Sequence, residues 1–275
     1  MKKMFLLLSV MTWVCSCSSP TRKPASSEPL VTRDGETIAM PELKIPLNVP
    51  LCGTPRTGLG ECAEAGEREL FDQVYEKTFR FQSAQNPISE KTSQRDFHAR
   101  HHACLAGKWS PIVHNRKYSA GIFAIPAKSF PVVLRFSNGS PKSPAGGGQT
   151  PPDIQPDARG LAIKVVGVPG QSILKIEGTE DGTMNQDFVL INHPTFFLRT
   201  PKRYPEFMTR LTMGQPFFDL LDADELNSLK ATNRVVADVT SETFFGQTPY
   251  QFGDNKNAKY RIKPRSEEHT SELQS

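Results

Sequence analysis

The order of hydrophobic and polar positions predicts both helices and strands. Between residues 64 and 81 the apolar side chains recur at helical spacing, which predicts an N-terminal helix. Residues 131–136 form a compact β-branched run that ends in the turn sequence Ser-Asn-Gly-Ser, and residues 160–168 form a second apolar run. Both runs predict strands, and shorter strand pieces are expected at Val113 and residues 122–125.

The second half of the chain continues this mixture. Residues 172–176 are an expected hairpin partner for the second apolar run, and residues 186–197 predict another strand that enters a turn at Asn-His-Pro. Residues 201–229 return to helical spacing, whereas residues 244–260 carry strand and turn chemistry. Strands followed by helices, without βαβ alternation, predict an α+β protein built on an antiparallel sheet or barrel.

Composition agrees with a soluble globular domain. The 275 residues are 37% hydrophobic and 23% charged, and 23 prolines with 19 glycines favour a β-rich fold with many turns. The net charge is only +4, and there is no long run of Lys or Arg. We therefore expect no nucleic-acid partner.

The N-terminus reads as an export signal. Two lysines precede an apolar run that is too short for a membrane helix, so residues 1–16 are predicted to be a signal peptide. Val-Cys-Ser-Cys at its end resembles the bacterial lipobox, which predicts lipidation of Cys17 and a membrane anchor there. The alternatives are plain cleavage of the signal or an uncleaved anchor. Residues 17–44 are then a flexible tether. We expect an exported lipoprotein of the periplasm or outer membrane.

The last eleven residues differ from the rest of the chain. Residues 265–275 contain one large apolar side chain and resemble the translation of a sequencing-adapter oligonucleotide. We expect them to be a non-native tail on a reading frame that is incomplete at its C-terminus. Residues 45–264 are the predicted folded body, long enough to bury a core as one domain.

Three cysteines lie in the predicted body. Cys52 and Cys62 bracket a Gly/Pro-rich loop, and in an exported protein they form either a disulfide or two unpaired thiols. Cys104 would then be left over as a small buried hydrophobe.

The densest cluster of reactive side chains is the segment RDFHARHH at residues 95–102. Three histidines and two arginines in eight positions fit a metal site, a proton-transfer site or an accidental surface cluster. The spacing lacks the HExxH and paired CxxC patterns that would identify a metal site. The residues alone therefore leave these alternatives open.

Three further segments place polar groups at the ends of apolar strands. These are LRFS at residues 134–137, DARG at residues 157–160 and NHPTFF at residues 192–197. Burying such groups is costly unless a ligand or partner meets them. The alternatives are structural: a salt bridge at Arg135, and a local pair between Asp157 and Arg159.

Taken together, these motifs resemble the haem-dependent catalase superfamily, and more closely its shorter bacterial branch. The segments FHAR, LRFSNGSP, PDARGLAIKV and QDFVLINHPTFFLR recur in the family's order, and the resemblance spans residues 95–260. It implies a catalase-like antiparallel β-barrel with flanking helices and a haem b cofactor. It also implies activity on hydrogen peroxide or organic hydroperoxides, and an oligomer is compatible with it.

The resemblance assigns roles on the distal side of a haem. His98 matches the histidine that shuttles a proton between the peroxide oxygens, and Ser137 matches the serine that bonds its other ring nitrogen. Where the family has an asparagine that assists peroxide binding, this chain has Ile191, followed by Asn192. Either Asn192 takes the role after a local shift or the site lacks it, and strand alternation argues against a simple shift.

The resemblance also assigns residues that hold the cofactor. Arg95 and Arg135 match arginines that clamp haem propionates, which suits a planar guanidinium. Phe97 matches a residue over the haem face, and Tyr204 matches an aromatic packed on the porphyrin. No metal ligand is assigned, because none of the five tyrosines lies in the motif of the proximal iron ligand, which is expected C-terminal to residue 264.

The expected function is that of a haem catalase or peroxidase in which His98 moves the proton, and the activity of the chain as given stays open. One alternative is a hydroperoxide-rearranging or peroxygenase haem enzyme. The other is a non-catalytic periplasmic haem-binding lipoprotein, which Ile191 favours.

Overall fold

The computed structural model describes residues 7–9, 62–85, 95, 97–112, 119–124, 128–141, 150–169, 185–253 and 256–264. Several predictions fall outside these residues: the lipidated Cys17, the tether, Cys52, Val113, the hairpin partner at 172–176 and the tail at 265–275. They stay predictions.

The described chain contains nine strands and three α-helices. The strands are β1 (Leu7–Ser9), β2 (His101–Ser110), β3 (Phe130–Asn138), β4 (Arg159–Val166), β5 (Asn185–Ile191), β6 (Phe244–Phe245), β7 (Tyr250–Gln251), β8 (Asn257–Ala258) and β9 (Arg261–Ile262). The helices are α1 (Glu67–Gln85), α2 (Tyr204–Thr212) and α3 (Ala223–Thr232). Among the described helices, none is long and apolar enough to cross a membrane.

Seven strands form one antiparallel sheet in the order β1-β2-β3-β4-β5-β6-β9, and β7 pairs with β8 separately. The α+β prediction with an antiparallel sheet is therefore confirmed. Within the described residues the sheet has two edges, at β1 and β9, so closure into a barrel stays a prediction. β1 lies inside the predicted signal peptide and pairs with the last residues of β2.

Alternation along the central strands separates two faces of the sheet. On β4, Leu161, Ile163 and Val165 are buried in the main core, and Ala162 and Lys164 between them are exposed. The same alternation continues on β3 and β5. The core therefore fills one face, and the opposite face is free to carry other chemistry.

Aromatic stacking consolidates the core beneath β2. The indole of Trp109 stacks on Phe188 with 5.1 Å between ring centroids, and Phe123 packs edge-on against Trp109 at 5.4 Å. Phe123 belongs to a 3-10 helix (Gly121–Ala124), so the strand piece expected at residues 122–125 is wrong over the described part. A tight helical turn directs both Ile122 and Phe123 into the core, which a short edge strand would not do.

Helices α1 and α2 pack beside each other next to the sheet. Lys77 Nζ donates to Thr209 Oγ1 at 2.7 Å between these two helices. At α3, Asp222 and Glu225 form a reciprocal capping box that fixes where the helix begins. The helical prediction for residues 201–229 is thus resolved into two α-helices joined by a segment that holds a 3-10 turn, Phe218–Leu220.

Cys62 and Cys104 are both disulfide-bonded. The expectation that Cys104 is an unpaired buried thiol is therefore wrong, because its sulfur is covalently bonded even though the side chain is buried. Cys52 lies outside the described residues, so its pairing with Cys62 stays a prediction.

We expect the change Ile163→Ala to lower the free energy of unfolding by about 2–5 kcal/mol, because it removes buried methyl groups and leaves a cavity. Ile163 is 1% exposed in the main core. Urea unfolding followed by circular dichroism measures the effect.

The matched control is Val189→Ala on the opposite face, where the side chain is 69% exposed. Its expected effect is within about 0.5 kcal/mol. Equal losses in the two variants would contradict the assignment of the two faces.

Candidate functional site

His98 occupies an unusual backbone conformation just before β2. Its φ angle is +53°, and it is the one residue other than glycine with a positive φ among those described. Side chains other than glycine pay an energetic cost in this left-handed region, so the surrounding structure must hold it. His98 N donates to Gly139 O at 3.4 Å, and Arg135 Nη2 donates to His98 O.

The imidazole of His98 is hydrogen-bonded to a residue near the end of β3. Its Nδ1 lies 2.9 Å from Ser137 Oγ. Ser137 is 3% exposed and lies on the face of the sheet opposite the main core. The structure thus brings together the two residues predicted to act on the distal side of the site.

Burial is the largest cause that lowers the pKa of His98 below its ordinary value of 6.5. The Arg135 guanidinium lowers it further, while Asp157 and the backbone of Asn138 oppose these effects. A lowered pKa keeps the imidazole neutral at neutral pH. A neutral ring can accept a proton, as a general base must.

His98 opens onto a cavity of about 340 Å³. This volume lies in the range of small-molecule sites. Six aromatic side chains form a large part of the wall: Phe97, Phe196, Phe197, Tyr204, Phe207 and Phe217. Polar groups are fewer, and the titratable carboxylate among them is that of Asp157.

The aromatic wall is held by ring-to-ring packing. Phe196 stacks on Tyr204 with 5.7 Å between centroids, and Phe207 lies edge-on to Phe197 at 5.3 Å. Phe97 is braced from outside the cavity by Phe81 of α1, at 5.5 Å. Burial raises the pKa of Tyr204, which keeps its hydroxyl protonated. Phe97 and Tyr204 therefore both line the cavity onto which His98 opens.

Asp157 is bound by the turn after β3. Its carboxylate accepts from Ser140 N at 3.1 Å and from Ser140 Oγ at 2.8 Å, and it is 2% exposed. Arg159 donates instead to the backbone carbonyls of Asp153 and Ala158. The alternative of a local pair between Asp157 and Arg159 is therefore wrong.

Arg135 lies on the same face of the sheet as Ser137 and is partly buried. Its recorded hydrogen bonds run to the carbonyl oxygens of His98 and Ala99. Burial, and then the nearby Arg95, lower the pKa of Arg135. Within the described residues no carboxylate forms an ion pair with either arginine.

Ile191 and Asn192 point to different sides at the end of β5. Ile191 lines the cavity. Asn192 does not line the cavity and is buried, with 5% of its surface exposed. Asn192 Oδ1 accepts from Arg159 N at 3.0 Å, and its Nδ2 donates to Thr232 O at 3.2 Å. The structure therefore does not bring the Asn192 amide to the cavity with His98; the amide joins β4 to the end of α3 instead.

A polar network joins the segment after His98 to neighbouring strands. Arg100 Nε and Nη2 donate to Asp153 Oδ1 and Oδ2 at 2.7 and 2.8 Å. His102 Nε2 is bonded to Asn138 Oδ1, and Asn138 is fully buried. The remaining histidines of the RDFHARHH cluster are thus used differently: His102 is structural and His101 is exposed.

Sequence reasoning missed several residues that shape the site. It gave no role to Ser140 or Asp157 individually, and it did not identify Gly160, whose backbone lies against the His98 ring. The described residues contain no group of three or more His, Cys, Asp or Glu side chains that could hold a bare metal ion. Gly160 carries no hydrophobic or charged side chain that would have identified it in the sequence.

Two solved catalase structures are similar to the chain. A fungal catalase shares 19% identity at a TM-score of 0.39, over 95% of this chain and 49% of that one. Catalase A from Saccharomyces cerevisiae shares 20% identity at a TM-score of 0.36, over 80% and 40%. The chain spans about half the length, or less, of these catalases. No protein-family model and no curated protein matches the chain.

We expect His98 to titrate below pH 6.5, because burial and Arg135 both disfavour its protonated form. NMR of the ring Cε1–H signal against pH measures the midpoint. Arg135→Gln should raise that midpoint, since it removes the second-largest cause. A wild-type midpoint at or above 6.5 would contradict the geometry.

We expect Asn192→Ala to lower the free energy of unfolding by about 1–3 kcal/mol, because it leaves the buried N–H of Arg159 without its acceptor. Asn185→Ala at the exposed start of β5 is the control, with an effect within about 0.5 kcal/mol. Urea unfolding compares them. Equal stability of the two variants would remove the structural role of Asn192.

Proposed function

We propose that this chain forms part of a haem-dependent enzyme that breaks down peroxides, with His98 as the group that moves the proton. One observation carries the proposal. A half-buried imidazole with a lowered pKa is bonded to Ser137 and opens onto a cavity with aromatic walls. The catalase-like motifs, which follow one another along the sequence in the family's order, support haem as the cofactor.

The residues present fit one face of a haem. The aromatic wall offers flat apolar rings next to His98, among them Phe97 and Tyr204. Arg95 and Arg135 are not among the residues that line the cavity. Their positive charges act on the imidazole, and a guanidinium suits a carboxylate such as a propionate. We assign these four residues to haem binding, and the iron ligand stays without an assignment among the described residues.

A bound haem supplies the redox-active iron that lowers the barrier to breaking a peroxide O–O bond. The chain supplies the proton transfer. With Nδ1 bonded to Ser137, Nε2 of His98 takes the proton from the peroxide hydroxyl and returns it to the departing oxygen. The aromatic wall excludes water that would compete for this proton.

Organic hydroperoxides are the second candidate substrates. The observation that favours them is the wall of the cavity, in which the aromatic rings are joined by Ile191, Met208, Leu211 and Leu229. Hydrogen peroxide gains nothing from such a surface, whereas a hydrocarbon group buries apolar area there. An oxygen electrode separates the two, because dismutation of hydrogen peroxide releases oxygen and rearrangement of an organic hydroperoxide does not.

We also propose that the protein acts after export, anchored by a lipid at Cys17. The sequence of residues 1–17 supports this location. A peroxide-degrading enzyme there would meet external peroxide first.

We expect His98→Ala to reduce the rate of peroxide breakdown by about 100-fold or more, since general acid–base catalysis contributes a factor of that size. Haem absorbance should remain, because the variant removes the base and leaves the aromatic wall. The wild-type rate should decline on the acidic side only below pH 6.5, where His98 becomes protonated. Oxygen release or hydroperoxide loss in haem-supplied protein measures this.

The matched control is His101→Ala, which changes an exposed histidine of the same cluster. Its rate should equal the wild-type rate. Retention of full activity in His98→Ala, or the absence of a Soret band in haem-supplied protein that carries the C-terminal part expected to hold the iron ligand, would overturn the proposed function.

A further inference from the structure

Gly160 lies directly against the ring of His98. A Cβ atom placed on Gly160 would stand 2.6 Å from both Cε1 and Nδ1 of His98, and 3.0 Å from Ser137 Oγ. Non-bonded carbon atoms prefer separations of about 3.5–4.0 Å. The imidazole therefore occupies the volume that any side chain at this position would need.

The backbone of Gly160 does not require glycine. Five described glycines have a positive φ, and Gly160 is not among them. It pairs in regular register with Ser137 of β3 and Ile191 of β5, as any strand residue would. What the site uses at Gly160 is therefore the missing side chain and not a special backbone conformation.

His98 has little freedom to move away from an added side chain. Its N–H is bonded to Gly139 O, its carbonyl oxygen accepts from Arg135, and its φ is already in the left-handed region. With the backbone held on both sides, the ring can respond only by rotating about its own bonds. Rotation breaks the contact between Nδ1 and Ser137 Oγ.

We propose that Gly160 is a positioning residue: the absence of its side chain lets the His98 ring lie directly against β4 and within hydrogen-bond distance of Ser137. Its importance for turnover rests on the proposed function. The position of the His98 ring against Gly160 and Ser137 does not depend on the proposed function.

The test compares Gly160→Ala in two backgrounds by urea unfolding. In the wild-type background the added methyl group should lower the urea midpoint. In the His98→Ala background the same change should lower the midpoint much less, since only the contact with Ser137 Oγ remains. An equal loss in both backgrounds would overturn the proposal. If Gly160→Ala fails to fold and the double variant folds, the steric conflict with His98 is supported directly.

NMR titration of His98 supplies a readout that a purely structural role would not move. In Gly160→Ala the midpoint should rise toward 6.5, because the ring leaves the buried position that lowers its pKa. An unchanged midpoint would overturn the proposal. Gly246→Ala is the control, because a Cβ there meets Tyr250 at an ordinary 3.4 Å.

Peroxide turnover completes the test in haem-supplied protein. Gly160→Ala should reduce the rate by about 10- to 100-fold, as displacement of a catalytic group by about 1 Å does. If wild-type protein that carries the expected C-terminal part shows no peroxide breakdown, the proposed function alone is overturned. The unfolding and titration results still decide the role of Gly160.

Discussion

The contact between the His98 ring and the strand beneath it is the constraint on which the site depends. Nδ1 reaches Ser137 Oγ only because the ring lies on bare backbone at Gly160. The strained backbone at His98 is in turn held by hydrogen bonds from Arg135 and to Gly139. Four contacts thus converge on His98: those of Arg135, Ser137 and Gly139 come from the end of β3 and the turn after it, and that of Gly160 comes from β4.

The sheet makes this convergence possible because one of its faces packs into the main core and the other carries the candidate site. The main core fills one face, and the side chains that meet the His98 imidazole lie on the opposite face. Ser137 and Arg135 project from the other face on β3, and Ile191 projects from it on β5. The candidate site lies on the face opposite the main core, at one end of the strands. Helix α2 and the aromatic wall cover the site there.

The sequence predicts much of this arrangement, and the failures have physical reasons. The strands at residues 131–136 and 160–168 are found at Phe130–Asn138 and Arg159–Val166 because their β-branched runs are strong signals. β2 was missed because its ten residues include histidines, alanines and a glycine, which alternate weakly. Gly160 could not be found from pattern alone, because an absent side chain leaves no hydrophobic or charged signature. Alternation did anticipate that Ile191 and Asn192 face opposite sides.

Ile191 lines the cavity, whereas Asn192 links β4 to α3. This difference limits how such a site can change over evolutionary time. Successive strand residues face opposite sides of the sheet, so deleting a single codon just before Ile191 would bring Asn192 into the place that Ile191 now occupies. The amide would then enter the cavity, and the link between β4 and α3 would be lost. Acquiring a polar group in this pocket is therefore coupled to the stability of the domain, and point substitution at Ile191 is the route that leaves the link intact.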